Sequence, residues 1–432
     1  MGTMTRRGTT RQSAAARAAA VLVLGALTVC AACGPTQASG ASTTTDPGAA
    51  ATNPRTPSAA GELAGVPAEY RATYRQLVSN LADLQQQDSA GAVDGPVGQT
   101  TMAGALEVAD GNRGLGLLEP STMSTVTATL DEFQSLHMTG VMLEVGYPML
   151  LPTFPNSAAY LSFYEQVANQ VHARSMTLLI ELNPIFPNPQ ISSLHPDYAG
   201  LTVATYAAQQ AEEAQIIVDD FHPTYLTLLD EPSTFAANLG LPIATPAGAV
   251  EVLGDELPGI DRGTTLLGAG IGTWENPAIE RAIAMTGVNY LSVHVYPTGT
   301  RQIAALDQVT QIAAAAHKPL VEDETWLSKS NPDGRPGAGN AVVEQKIKDW
   351  SFWAPLDGQF LAAMTTYARD HGFAFVSPFS TDLFAGYLAW TPARDALTKG
   401  QVDRLAARVQ LANLATGTLS STAVAYRQAI DG

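Results

Sequence analysis

Eight short apolar runs recur along the chain, each followed by a longer stretch with helical spacing. No other feature restricts the fold as much. The runs are TMAGALEVA (101–109), GVMLEVGYP (140–148), MTLLIELNP (176–184), YLTLLDEP (225–232), TTLLGAGIG (264–272), NYLSVHVYP (289–297), PLVEDETWL (319–327) and FAFVSPFS (373–380). Between them lie amphipathic segments such as STVTATLDEFQSL and YLSFYEQVANQVHA. Strand-length runs that alternate with helices predict a parallel sheet with crossover helices. Eight such units within residues 98–432 predict a closed (β/α)₈ barrel. An open doubly wound sheet is the competing topology, but no Gly-rich phosphate loop follows the first run, and GAGIG in the fifth has the wrong context for one. A chain of 432 residues that is 46% hydrophobic can bury a core of this size.

The barrel is expected to be preceded by three other segments. Arg6, Arg7, Arg11 and Arg17 precede the apolar run AAAVLVLGALTV, which is too short to cross a bilayer comfortably and reads as an export signal. It ends in CAAC, and residues 1–33 resemble a bacterial lipoprotein signal, which implies lipidation of Cys33. Cys30 stands where that pattern has Leu. Residues 34–61, rich in Thr, Ala, Pro, Gly and Ser, read as a flexible linker. Residues 62–97 contain helical spacing at Tyr70, Tyr74, Leu77, Leu81 and Leu84, which predicts a helix packed on the outside of the barrel. Membrane contact is therefore expected through the N-terminal lipid alone.

The net charge of -17 excludes a nucleic-acid partner, whose phosphates require a basic face. Metal-assisted and serine chemistry find no motif: there is no His-Glu-x-x-His and no Gly-x-Ser-x-Gly. No cofactor is expected.

The polar load falls on the C-terminal ends of the runs: Glu107, Glu144, Glu181 and Asn183, Asp230-Glu231-Pro232, His294 and Tyr296, Glu324 to Trp326. In a barrel those ends form one mouth. Strict alternation along PLVEDETW puts Leu320, Glu322 and Glu324 on one face and Val321, Asp323 and Thr325 on the other. With Glu324 at the mouth, Glu322 would then sit ~7 Å deeper on the same face. Pro232 holds Glu231 extended at the end of its run. Glu231 and Glu324 can thus converge on one bound bond, as retaining glycoside hydrolysis requires of an acid/base and a nucleophile.

In their order and spacing these motifs resemble the large clan of (β/α)₈ retaining glycoside hydrolases, over about residues 98–390. LLDEP is similar to the Asn-Glu-Pro end of that clan's fourth strand, which implies that Glu231 is the acid/base. PLVEDETW is similar to the end of its seventh strand, which implies that Glu324 is the nucleophile. SVHVYP implies that His294 and Tyr296 orient it. The resemblance further implies a polysaccharide or oligosaccharide substrate with β-linkages, bound in part by Asp230, Asn183, Trp326 and Trp390. Asp230 replaces the clan's Asn, and Trp326 follows Thr325 with no intervening Gly. A degenerate barrel that binds glycans without cleaving them is the alternative. Trp350 and Trp353 are expected to pack rather than bind.

Overall fold

The structure is a computed structural model that describes residues 63, 65–91, 99–189, 191–297, 300–329, 348 and 350–432. The expected export signal, Cys33 and the linker lie outside the described residues.

The eight runs form eight parallel strands: β1 Thr101–Met102, β2 Gly140–Tyr147, β3 Thr177–Pro184, β4 Tyr225–Leu229, β5 Leu266–Gly272, β6 Tyr290–Val295, β7 Leu320–Thr325 and β8 Phe375–Pro378. Their order is β1-β8-β7-β6-β5-β4-β3-β2. The ring closes where the chain beyond β1 meets β2: Met142 N donates to Gly104 O (3.0 Å) and Leu106 N to Met142 O (2.9 Å). The fold is therefore a (β/α)₈ barrel. The first run is less regular than expected, because the strand stops at Met102 and Glu107–Ala109 turn into a 3₁₀ helix. That early stop frees residues 110–118 to fold over the mouth.

The crossover helices follow the sequence signals. Helices Val203–Phe221, Pro246–Glu256 and Pro277–Ile283 are capped by Thr202, Thr245 and Asn276, whose side chains accept from backbone N–H groups of the first turn. The helix Arg71–Gly91 buries Tyr74, Leu77, Leu81 and Leu84 as its spacing predicts. Each such side chain contributes about 1.5–3 kcal/mol. This helix packs on the helix Ala354–Asp370, and Tyr74 stacks on Trp353 with centroids 5.9 Å apart. Trp350 and Trp353 are fully buried, in keeping with a packing role.

The glycines of β5 have a structural use. A Cβ at Gly268 would lie 2.1 Å from the Tyr290 ring, and one at Gly270 would lie 1.7 Å from Ser292 O. The first missing side chain makes room for Tyr290, whose hydroxyl meets Thr227 Oγ1 at 2.7 Å, and the second for the Ser292 backbone. Asp323 completes this layer, accepting from Thr227 Oγ1 on β4 and Ser292 Oγ on β6, each at 2.8 Å.

That contact corrects the strict alternation expected for β7. Against β6, Val321 pairs with Ser292 but Glu324 pairs with His294, so β7 carries one extra residue. The same excess appears against β8, where Glu322 pairs with Val376 and Thr325 with Pro378. A bulge of this kind resets the phase of the side chains. Asp323 and Glu324 consequently both turn inward, whereas Glu322 is not the deeper neighbour of Glu324. Glu322 is fully buried and interacts electrostatically with Tyr426 on the helix Ser421–Asp431. β4 is bulged as well, since Thr227 and Leu229 pair with the consecutive residues Gly268 and Ala269.

Candidate active site

A cavity of about 540 Å³, counting space open to solvent, lies at the C-terminal ends of the strands. Five carboxylates line it: Asp110, Glu144, Asp230, Glu231 and Glu324. No Lys or Arg belongs to its lining among the described residues.

His294 stands at its centre. Its Nδ1 lies 3.0 Å from Glu231 Oε1 and 3.3 Å from Glu324 Oε2. Those two oxygens are therefore at most 6.3 Å apart, the sum of the two distances. Its Nε2 faces Asp323 Oδ1 at 3.3 Å, Glu181 Oε1 at 3.6 Å and Asp230 Oδ2 at 4.0 Å. Burial alone would depress the pKa of this imidazole, but Glu324 and Asp323 raise it well above its ordinary value. The ring thus sits among acids that favour its protonated form.

The two expected catalytic groups are held differently. Glu231 is the N-cap residue of the helix Pro232–Leu239, with Pro232 in its first turn. Thr234 Oγ1 donates to its Oε2. The carboxylate of Glu275 accepts from Ser233 N (2.6 Å) and Gly272 N (3.0 Å), which ties the start of that helix to the end of β5. Glu324 accepts from the Tyr296 hydroxyl at 2.6 Å. Burial pushes Glu324 well above the usual carboxylate range, while the His294 charge and the Tyr296 donor pull it back.

Asp230 and Asn183 also line the cavity, as expected. Burial lifts Asp230 to about 7. Trp326 and Trp390 are not among the lining residues: Trp326 is buried against Phe384, with ring centroids 6.2 Å apart. The rings that do line the cavity are Phe186, Phe235 and Phe379. Phe186 comes from the NPIFPNPQ stretch after β3, a stretch whose composition marks it as a shaped loop.

Sequence reasoning missed Asp110 and Asn112. They follow the shortened β1, and Asn112 binds three elements together. Its N donates to Asp110 Oδ1 (2.6 Å), its Nδ2 to Glu144 Oε1 (2.8 Å), and its Oδ1 accepts from Phe186 N (2.9 Å). The only advance signal was DGN after the first run, an ordinary turn sequence.

Among the described residues, ligating atoms of Glu181, His294 and Glu324 lie within 4.8 Å of one another, close enough to surround a cation. A protonated imidazole offers no lone pair to a metal, so a metal there would compete with the proton on His294.

No protein-family model matches the sequence, and no curated protein does. Solved structures similar to this chain include an exo-beta-1,4-mannosidase from Opitutaceae bacterium strain TAV5, at 15% identity and TM-score 0.48, covering 74% of this chain. The present chain spans 60% of that mannosidase. A GH5_18 protein from Bifidobacterium longum, solved in complex with Manb1-4GlcNAc, is 11% identical at TM-score 0.49, covering 77% of this chain and 78% of its own. A GH30 endoxylanase from Clostridium papyrosolvens is 13% identical at TM-score 0.41, covering 76% and 70%.

Proposed function

We propose that the chain is a glycoside hydrolase that cleaves a β-linked glycan with retention of configuration, exported and held at the membrane by a lipid on Cys33. The observation that carries the reaction is the approach of Glu231 and Glu324 to one nitrogen of His294, with oxygens no more than 6.3 Å apart. Retaining enzymes place their two carboxyls ~5–5.5 Å apart, and inverting enzymes leave ~6.5–9.5 Å for a water.

In this reading Glu324 attacks the anomeric carbon while Glu231 protonates the departing oxygen. Glu231 then takes a proton from the water that releases the sugar from Glu324. Tyr296 favours the ionised form of Glu324 by donating to Oε2, the same oxygen that lies nearest His294 Nδ1. His294 Nδ1 lies within 3.3 Å of both carboxyls and holds them in place.

The experiment is the release of reducing ends from a panel of polysaccharides by the wild-type chain and by Glu231→Gln and Glu324→Gln. Loss of release in both variants, with the fold retained, is expected; full activity in either would refute the assignment. The second reading, a non-catalytic glycan-binding barrel, is motivated by Asp230 in the place of Asn. Below about pH 7 Asp230 holds a proton and can donate as an amide does, which weakens that reading. Binding without release, over hours, would favour it.

A further inference from the structure

Glu231 is the N-cap of the helix Pro232–Leu239, yet its carboxyl accepts no backbone N–H from that helix. An N-cap side chain ordinarily takes one from the second or third helical residue. The N–H groups of this first turn are all accounted for. Pro232 has none, Thr234 N and Phe235 N donate to the Glu231 carbonyl at 2.9 and 3.0 Å, and Ser233 N donates to Glu275 Oε1 at 2.6 Å. A carboxyl from another loop thus does the capping that Glu231 could do for itself.

The Glu275 carboxyl is fixed independently of that helix. Its own N donates to Gly272 O at 2.9 Å, and its Oε2 accepts from Gly272 N at 3.0 Å, so a short turn after β5 is closed from both sides. That turn presents Oε1 to Ser233 N. Burial lifts Glu275 to about 8 and the neighbouring Glu231 adds to the rise, so the two carboxyls lie within electrostatic reach. Glu275 does not line the cavity; it reaches the site only through the segment that carries Glu231.

With Ser233 N satisfied elsewhere, both Glu231 oxygens serve the cavity side. Oε2 accepts from Thr234 Oγ1, and Oε1 lies 3.0 Å from His294 Nδ1. Without Glu275, the bare N–H of Ser233 would compete for the carboxyl two residues back, that of Glu231.

We propose that Glu275 is a positioning residue: by capping the helix after Glu231 it keeps the Glu231 carboxyl in the cavity, where that group serves as the acid/base. This rests on the hydrolase reading, which assigns Glu231 that role.

The test separates departures that need a proton donor from those that do not. A phenyl glycoside requires protonation of the departing oxygen, whereas 2,4-dinitrophenolate departs unaided as a stable anion. Both aryl groups are placed on glucose, mannose and xylose and on their β-1,4-linked disaccharides. In the full chain, Glu275→Ala should lower kcat/KM for the phenyl substrates at least about tenfold, part of the roughly 10²–10⁴-fold that a placed proton donor supplies. For the dinitrophenyl substrates, which do not draw on that donor, the loss should stay within about threefold. Glu275→Gln keeps one acceptor oxygen and should fall between wild type and Glu275→Ala. Backbone hydrogen exchange at residues 231–239 should speed up roughly tenfold in Glu275→Ala and stay unchanged in the strands. Should Glu275→Ala fail to fold, Glu275→Gln, of the same shape, carries both readouts. Equal loss on both leaving groups, the mark of a merely structural role, overturns the inference and leaves the hydrolase reading standing. Undisturbed exchange at 231–239 overturns it as well. A wild type that cleaves none of these glycosides and no polysaccharide sinks the hydrolase reading and the acid/base role with it; the exchange readout then still decides whether Glu275 caps the helix.

Discussion

β2 and β3 lie side by side for eight residues without a break in register, from Gly140 opposite Thr177 to Tyr147 opposite Pro184. β4 and β7 each carry one extra residue. On the regular pair, polar groups come at every second position: Glu144 beside Glu181, then Gly146 beside Asn183. Elsewhere consecutive acids face the same centre: Asp323 and Glu324 on the bulged β7, and Asp230 and Glu231 in the turn just past the end of β4, all within 4.0 Å of His294. Alternation forbids this in a flat strand. The ladder brings one acid, Glu181, to His294, while the β7 bulge and the turn after β4 each bring two.

The sharpest attack on that contrast removes a carboxylate from each kind of strand. Glu231→Gln and Glu324→Gln should each lower glycan hydrolysis by on the order of 10³-fold, whereas Glu181→Gln on the regular ladder should cost far less. Equal losses would show that the bulged pair has no special standing. Tyr296→Phe removes the hydroxyl that donates to Glu324 and should lower kcat by roughly 10-fold or more, a hydrogen bond to a charged group being worth about 1.5–3 kcal/mol. An unchanged kcat would separate Tyr296 from the chemistry.

Acidity offers a third handle. If Glu324 must be ionised to react, its elevated pKa puts the acid limb of the activity profile above the ordinary carboxylate range. A limb at or below about pH 4.3, the unperturbed Glu value, would contradict the burial seen here. Next in size, Asp323→Asn loses one of the acceptor bonds to Thr227 and Ser292 and should destabilise the fold by about 1–3 kcal/mol, measured by urea unfolding.

The last prediction concerns Glu322, which the β7 bulge separates from the mouth. Burial raises it from 4.5 to about 8. The folded state then keeps a proton that the unfolded chain releases, so stability contributed at low pH is lost as pH climbs from about 4.5 to 8. Glu322→Gln should be less sensitive to pH in that window and gain on the wild type by pH 8, as thermal melts would register.

Much of this was legible in the chain itself. The eight strands, the outer helix, the pairing of Glu231 with Glu324 and the company of His294 and Tyr296 all follow from local pattern and order. The bulges do not, because register is a property of two strands and only the neighbour reveals an extra residue. Asp110 and Asn112 escaped notice for a related reason: their role depends on β1 ending at Met102, which hydrophobicity through Ala109 conceals. Trp326, beside Thr325, packs against Phe384 and is not among the residues that line the cavity, a placement that its position in the sequence does not reveal.

The outer helix Arg71–Gly91 has a mechanical implication. A chain pulled from its leading end transmits that force to this helix before any strand. There the Tyr74–Trp353 stack and the Tyr70 hydroxyl on Asp395 (2.8 Å) would bear the load. Such a force would loosen a clasp on the outer shell before it reached the strands that carry the acidic centre.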